Sequence, residues 1–540
     1  MLVVTVGAFS PVKKNDFVNY DDPAYIYQNK HIQKLTFDNT KELFTTRTAT
    51  LYVPLVFLSY SIEYHFYKLD AEIYHITNLV LHLLNCLLVL WLVWLLSKNE
   101  LVAITVSALF ALHPLHVESV AWITERKDVL YSVFYLSAII CYYFYYQNKK
   151  RKYYLLTFLF FALSCFSKAM AVTFPAILLL YDYFYCNQKS WKIILNKIPF
   201  FILSFLFVIV AFYMMNLEGK GAINEHYNLF DKLCSACYGL YFYLQKAVLP
   251  VNLSVIYPYP EKTSAVLPFI YLFSPVIILF IFWFVFFSKK TNVVIKGSFL
   301  FFLISILPVL QLIPNTYTID ADRYFYLPSL GLFGIGAYYL YKVVEQKRIK
   351  NTVALVFISI TGIIFSVMTF NRCKVWENSI TLFTDVIKKY ESDVAYTNLG
   401  LAYNDKNDFA SAIPFFQKSI KINPRNPDAL NNYGWALSMT KQYDQAIAEF
   451  NASVAINPKE AKTFNNLANT YGTIGNYTAA IENFEKALAL EPDNATTLYN
   501  LAYTYLSTGN KQEALDYYQR SARSGFKPAQ DFLMENGLRW

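Results

Sequence analysis

Residues 427–460, PDALNNYGWALSMTKQYDQAIAEFNASVAINPKE, and the next 34, 461–494, AKTFNNLANTYGTIGNYTAAIENFEKALALEPDN, decide the fold. Laid over one another, they match at the positions that govern packing. Gly434 falls on Ala468, Ala446 on Ala480, Phe450 on Phe484 and Pro458 on Pro492. The frame extends back to Gly400, Ala412, Phe416 and Pro424, and forward to Ala502, Ala514 and Tyr518. A small residue lets two helices approach, an aromatic ring fills the space beside it, and proline ends the second helix. Such a unit buries its apolar face only against a neighbour, so about four in tandem make a stable stack.

The units resemble tetratricopeptide repeats. That implies an α-solenoid of four repeats over residues 393–528, with 529–540 as a capping tail. Solenoids of this kind bind extended peptide in a concave groove. Asn432, Asn466 and Asn500 recur at the same period, beside Asn431 and Asn465. They either grip a peptide backbone in that groove or bridge adjacent helices.

Upstream of the repeats the composition changes. The chain is 56% hydrophobic and only 16% charged, where soluble domains average about 25% charged. Ser392–Trp540 carries 13 Lys/Arg against 15 Asp/Glu, a net −2, which leaves +11 on the rest. A near-neutral tail and a basic apolar half argue against nucleic acid and point to lipid. The seven cysteines are odd in number and lie mostly in apolar runs, so they are not a disulfide framework. Cys234 and Cys237 have no partner pair and read as small packing residues.

Apolar runs long enough to span a bilayer recur at about 74–96, 101–117, 128–146, 153–167, 170–185, 198–216, 265–287, 298–314, 324–341 and 352–370. A weaker amphipathic stretch at about 231–250 lies at the interface or re-enters. Met1–Phe9 reads as a first span cut short, and no cleavable leader is evident. Basic clusters Lys149–Lys152, Lys189/Lys192/Lys197, Lys289/Lys290/Lys296 and Lys342/Lys347/Arg348/Lys350 mark cytoplasmic turns. The 13–72 loop, the 117–128 turn, Ser167-Lys168, the 217–264 region and the 315–323 loop then face outward. The expected architecture is all-α: a polytopic bundle of about eleven spans over 1–371, a linker helix over 372–392, and the solenoid outside. The Lys/Asn/Tyr/Ile-rich composition suggests an AT-rich bacterial genome, so the expected setting is an inner membrane with the repeats in the periplasm.

Ionisable groups at membrane depth are costly and mark function. On this layout they gather on one face: Asp21 and Asp22, Arg47, His113, His116 and Glu118, Glu125–Asp128, Lys168, and Asp322-Arg323-Tyr324. A carboxylate beside fixed cations can take a hydroxyl proton while the cations hold an anionic phosphate. Each group also has a plainer reading: a turn pair for Asp21-Asp22, interfacial hydrogen bonding for the histidines, pairing of Glu118 with a loop Lys, an interface anchor for Arg126 and Lys127, snorkelling for Lys168.

The early Asp-Asp loop, His113-Pro-Leu-His116, Glu125-Arg-Lys-Asp128, Ser167-Lys168 and Ala321-Asp-Arg-Tyr-Phe-Tyr-Leu-Pro328 together resemble the transmembrane-and-tetratricopeptide O-mannosyltransferases and their bacterial relatives. These belong to the GT-C superfamily of polytopic glycosyltransferases. The resemblance covers nearly the whole chain, in the order membrane half then repeats. It implies inverting transfer of a sugar, mannose, from a polyprenyl-phosphate donor to a Ser or Thr hydroxyl of a protein acceptor recruited by the solenoid. It places catalytic carboxylates at Asp21 and Asp22, donor-phosphate binding at Arg126, Lys127, Lys168 and Arg323, and substrate positioning at His113, His116 and Glu118. Some relatives use a divalent metal, but the sequence shows no compelling ligand set for one. The alternatives are a GT-C enzyme acting on an envelope glycan or lipid, with the repeats serving assembly, and a non-catalytic membrane scaffold. A protease added to intact spheroplasts is expected to cut the repeats; cleavage only after lysis would overturn the outward placement.

Overall fold

The computed structural model describes residues 1–45, 51–187, 192–216, 227–260, 262, 266–312 and 318–540. They form two compact units, Met1–Asp385 and Val386–Trp540, where boundaries at 371 and 393 were expected. The helix Asn351–Val375 runs past 371, and most of the next helix, Ser379–Ile387, belongs to the first unit. Both units are helical. The exception among the described residues is a short antiparallel pair in the first unit, β1 (Tyr257–Pro258) with β2 (Thr318–Asp320).

Four helices in the first unit are long and apolar enough to cross a membrane: Ala71–Ser97, Ile123–Asn148, Phe269–Phe287 and Asn351–Val375. Glu100–Leu112 with Pro114–Ala121 makes a fifth if its 52° bend is one broken span. Ala169–Phe184, Ile198–Met214 and Val293–Val309 are apolar but shorter. The described helices therefore give fewer full spans than the eleven crossings expected. Apolar length counts residues and does not show where the helix breaks, and a broken helix can still span where its freed backbone groups are satisfied within the protein. The run at 101–117 breaks because Pro114 has no N–H and holds His113 extended at φ −70°, ψ 129°. The run at 298–314 leaves the α-helix at Ile306 and tightens into the 3-10 turn Leu307–Val309, which contains Pro308.

Two further expectations change. The segment 13–72 contains the helices Phe37–Thr45 and Pro54–Tyr67. The second packs Val56, Phe57 and Tyr60 against Tyr25, Ile26, Ile32, Tyr74 and Ile123. Lys197, counted above as a loop cation, is buried and ion-paired with Asp182, whose oxygens also accept from the Tyr142 hydroxyl at 2.9 and 3.0 Å. Arg47 and Lys189 lie outside the described residues.

In the second unit, helix pairs alternate as the 34-residue period requires: Asp393–Asp405 with Phe409–Ile422, Pro427–Met439 with Tyr443–Ile456, Ala461–Thr473 with Tyr477–Leu490, and Ala495–Ser507 with Lys511–Arg523. Lys527–Glu535 caps the stack, burying Ala529 and Leu533. A Cβ on Gly400 would stand 2.7 Å from the Phe416 ring and one on Gly434 2.9 Å from Phe450, so the rings occupy the space the small residues leave. A hydroxyl adds to each crossing. Ser419 donates to the Asp393 carbonyl at 2.9 Å, Ser453 to Pro427 at 2.8 Å and Ser521 to Ala495 at 2.6 Å, with Ala487 in the third unit's place.

Among the described glycines of the first unit the closest approach is at Gly331, where a Cβ would lie 2.4 Å from the Ser298 carbonyl oxygen and 2.8 Å from the Phe302 nitrogen. Backbone cannot yield as a side-chain tip can. Gly331→Ala is expected to lower stability by about 1–3 kcal/mol through overpacking. Gly336→Ala, with nothing within 4 Å, is the control. Thermal melts in detergent compare the two, and equal melting temperatures would refute the close approach.

Candidate functional site

Between His113 and Arg126 the chain forms no single helix. A 3-10 turn, Pro114–His116, leads to the one-turn helix Val117–Ala121, a second 3-10 turn, Ile123–Glu125, and then the long helix that starts at Arg126. Glu125-Arg126-Lys127-Asp128 therefore occupies a helix start, where side chains fan in different directions instead of sharing one face.

Glu125 is the centre of that fan. Its carboxylate lies 3.1 Å from Lys127 Nζ, 3.2 Å from Arg323 Nε and 3.8 Å from Lys168 Nζ. Neither of its oxygens is in hydrogen-bond geometry, so charge holds the cations to it. Lys168 also pairs with Asp128, whose second oxygen accepts from the Ser119 hydroxyl at 3.2 Å. Arg323 also pairs with Glu118, which accepts in addition from the Arg323 backbone N–H at 3.3 Å. Glu118 thus finds its partner in the 318–324 segment and not in a loop Lys. Lys168 does not snorkel; it is about nine-tenths buried in this network. Three cations from three separate segments converge, each neutralised by a carboxylate.

The aspartate pair is divided. Asp22 is 1% exposed. It accepts from the Val18 backbone N–H at 2.8 Å and the Trp122 indole N–H at 3.0 Å. Burial pushes its carboxyl up to about 7, against those two donors. Asp21 is partly exposed, and its charge reaches Lys127 and the Tyr20 hydroxyl. Asp22 thus shapes the loop that presents Asp21. Trp122 is stacked on Tyr20 at 5.3 Å and on Trp376 at 5.4 Å, with the Arg323 guanidinium over its ring. The loop is fastened to the last turn of the helix Asn351–Val375 and to the chain after it: Asn15 Nδ2 donates to Cys373 O at 3.2 Å, Asp16 N to Glu377 O at 2.9 Å and Asn19 N to Ser379 Oγ at 2.9 Å.

Arg126 is placed apart from the other cations. It is fully buried, with Nε donating to Asn78 at 2.8 Å, Nη2 to the Tyr74 carbonyl at 2.9 Å, and Nη1 to Ser59 and Glu63. Its guanidinium lies over the Tyr60 ring at 4.6 Å. With its donors so committed, it ties Pro54–Tyr67 to Ala71–Ser97. His113 and His116 are likewise enclosed. His113 Nε2 meets the Ala247 carbonyl at 3.2 Å, and His116 Nδ1 meets Phe110 O at 2.7 Å. Phe110, Phe325, Tyr326, Phe333 and Phe365 surround them. Both imidazoles are thus packed among aromatic rings.

In the solenoid, Asn432 and Asn466 are buried. Asn466 donates to Asn431 at 3.0 Å, which in turn approaches Asn432 at 3.4 Å, so side-chain amides link neighbouring units. Asn500 is half-buried. Among the described residues no group of three or more His, Cys, Asp or Glu is arranged to hold a metal ion. In the sequence Glu125 and Asp128 belong to the charged set but carry no assigned role, and Trp122 is not singled out. Four consecutive charges in apolar surroundings were the available signal.

A unit of long apolar helices with a neutralised charge cluster beside a partly exposed carboxylate, followed by a solenoid of helix pairs, defines a class of membrane protein with a C-terminal repeat domain. Tetratricopeptide-repeat family models match residues 394–426, 415–448 and 459–524. Human "Protein O-mannosyl-transferase TMTC3" is 22% identical over 453 residues, 75% of this chain and 49% of that protein. The Caenorhabditis elegans protein O-mannosyl-transferase F38B6.6 is 25% identical over 407 residues, 69% of this chain and 54% of that one. Xenopus laevis tmtc2 is 36% identical over 91 residues, 17% of this chain. The chain spans about half the length of the first two relatives. A crystal structure of MamA matches 28% of this chain and 89% of its own, at 23% identity and a TM-score of 0.26. The resemblance to the transmembrane-and-tetratricopeptide O-mannosyltransferases thus extends over three quarters of the sequence.

Burial raises the Asp22 carboxyl above its ordinary value, so the folded chain holds a proton that the unfolded chain releases. Stability therefore falls as pH rises from about 4 to about 7, by up to about 4 kcal/mol at 1.36 kcal/mol per unit. Asp22→Asn, uncharged throughout, is expected to flatten that part of the melting-temperature profile. An unchanged slope in the variant would place the titration elsewhere.

Proposed function

We propose that the chain is a membrane glycosyltransferase that moves a sugar, mannose, from a polyprenyl-phosphate donor to a Ser or Thr hydroxyl of a protein acceptor recruited by the solenoid. The observation that carries this reading is the convergence of Lys127, Lys168 and Arg323 on Glu125, with Asp21 partly exposed within charge range of Lys127. The names of the relatives support the same chemistry. The setting is a bacterial inner membrane with the site and repeats on the periplasmic face.

In this reaction Asp21 takes the proton of the acceptor hydroxyl as its oxygen attacks the anomeric carbon. The bond from that carbon to the donor phosphate oxygen breaks on the opposite side, which inverts the centre. Polyprenyl phosphate leaves with an extra negative charge, and Lys127, Lys168 and Arg323 stabilise it. Ion pairs without directed hydrogen bonds are suited to this, because the cations can turn from Glu125 to phosphate without losing a fitted geometry. Arg126 holds the scaffold and does not touch phosphate.

Asn432 and Asn466, buried and both hydrogen-bonded to Asn431, favour a second reading, in which the repeats serve assembly and the acceptor is an envelope glycan or lipid. Membranes containing the full chain, supplied with polyprenyl-phosphate-mannose and either a Ser/Thr peptide or a lipid-linked glycan, separate the two. Asp21→Asn is expected to lower kcat by about 100-fold or more, the usual weight of a general base. Lys127→Gln is expected to raise the donor KM. Undiminished transfer by the Asp21 variant would end the assignment of the base.

A further inference from the structure

Beyond the Glu125 cluster, the 318–324 segment carries a second carboxylate that the mechanism leaves unused. Asp320 ends β2 and is 2% exposed. Among the described residues its Oδ2 has no hydrogen-bond partner. Its other oxygen would stand 2.9 Å from a Cβ on Gly239, so only glycine at that point of the helix Leu229–Val248 admits it. The neighbouring acid differs: Asp322 accepts from the Tyr257 hydroxyl at 2.7 Å and lies within charge range of Arg372. No cation among the described residues stands where it could pair with Asp320.

What surrounds Asp320 is aromatic. Its charge reaches Tyr243 on the helix Leu229–Val248, Tyr259 beyond β1 and Tyr271 on the helix Phe269–Phe287. Asp322 is the charged group facing it from its own segment. Tyr238 and Tyr271 stack at 4.0 Å, and Tyr238 and Tyr259 are half-buried, which leaves ring surface at the edge of the enclosure. The Tyr259 hydroxyl points to Gln311 Oε1 at a long 3.4 Å. Tyr324, four residues on, lies between this enclosure and the phosphate cations: its ring is 5.9 Å from Lys168 Nζ and 5.0 Å from the Arg323 guanidinium, and its charge is felt at Tyr259. Ring faces beside an unsatisfied carboxyl are what a neutral, hydroxyl-rich ring recognises, through stacking on its C–H face and hydrogen bonds to its hydroxyls.

We propose that Asp320, placed by Gly239 among Tyr238, Tyr259 and Tyr271, is a specificity-determining contact to the hydroxyls of the donor sugar. This rests on the transferase reading above. The carboxyl binds in its neutral form, donating from one oxygen and accepting at the other. Burial first, and Asp322 second, push it up to about 8, so that form prevails at neutral pH.

The test is direct binding of two lipids to the purified full chain in nanodiscs: polyprenyl-phosphate-mannose and bare polyprenyl phosphate. The wild type is expected to prefer the sugar-bearing lipid by about tenfold, the worth of about 1.4 kcal/mol from one or two hydrogen bonds. That preference should fade between pH 7 and 9 as the carboxyl ionises. Asp320→Ala should remove the preference and leave bare-phosphate affinity unchanged. Asp320→Asn, which still donates and accepts, should keep it and abolish its pH dependence. A merely structural Asp320 would not move the pH profile in this way. Gly239→Ala, which displaces the carboxylate, should behave like the alanine variant and serves if Asp320→Ala does not fold. A sugar preference retained in Asp320→Ala or Gly239→Ala, or none in the wild type, would overturn the inference while leaving the transferase reading intact. No binding of either lipid by the wild type would overturn both.

Discussion

A buried carboxylate shared by three cations is the constraint around which the membrane unit is organised. Taking an ion out of water costs several kcal/mol even after relaxation, and a partner left alone by a deletion costs more than the pair contributes. Glu125 therefore cannot be considered without Lys127, Lys168 and Arg323, nor Lys168 without Asp128, nor Arg323 without Glu118. The network joins the start of one long helix to the end of another and to the loop after β2. Arg126, with Glu63 and Asn78, repeats the solution one residue away for a different pair of helices. Two adjacent cations thus meet opposite ends: one fixes the scaffold, the other lies beside the exposed carboxylate.

The breaks in the helices make this possible. An unbroken helix from residue 100 to 148 would place Glu118, Glu125 and Asp128 on faces dictated by the 3.6-residue period. Pro114 and the two 3-10 turns abolish that period locally, so Glu118 meets Arg323 and Trp122 points its indole N–H to Asp22. The same breaks shorten the spans. Function and helix length are in opposition here, and the polar residues of the turn are where the cost falls.

The solenoid could be read almost completely from the sequence, because its packing is local and recurs every 34 residues. Glycine against phenylalanine, alanine against alanine and a terminal proline each have one structural meaning when repeated. Even there, the Ser419–Ser453–Ser521 hydroxyl ladder passed unnoticed, since Ala487 interrupts it. In the membrane unit the charged residues were identifiable by their cost, but their partners were not. Glu118 and Arg323 are 205 residues apart, and nothing in either neighbourhood names the other. The division of Asp21 from Asp22 was equally hidden: it depends on a tryptophan a hundred residues on. Hydropathy marked the apolar runs but not where proline interrupts them, as Pro114 does between Glu100–Leu112 and Pro114–Ala121.

On the proposed chemistry, the charge balance of the cluster has a consequence of its own. Each of its cations is already neutralised, so an arriving phosphate is exchanged for a carboxylate and not simply added. Exchange is favourable only if the surroundings carry no surplus negative charge. Two buried loop carboxyls, Asp22 and Asp320, are both pushed up by desolvation, to about 7 and about 8. Near neutral pH they hold protons for much of the time and add little to the negative field. Asp21 differs in being partly exposed. Adjacent aspartates, one in reach of solvent and one enclosed, thus stand in different surroundings without any difference in residue type.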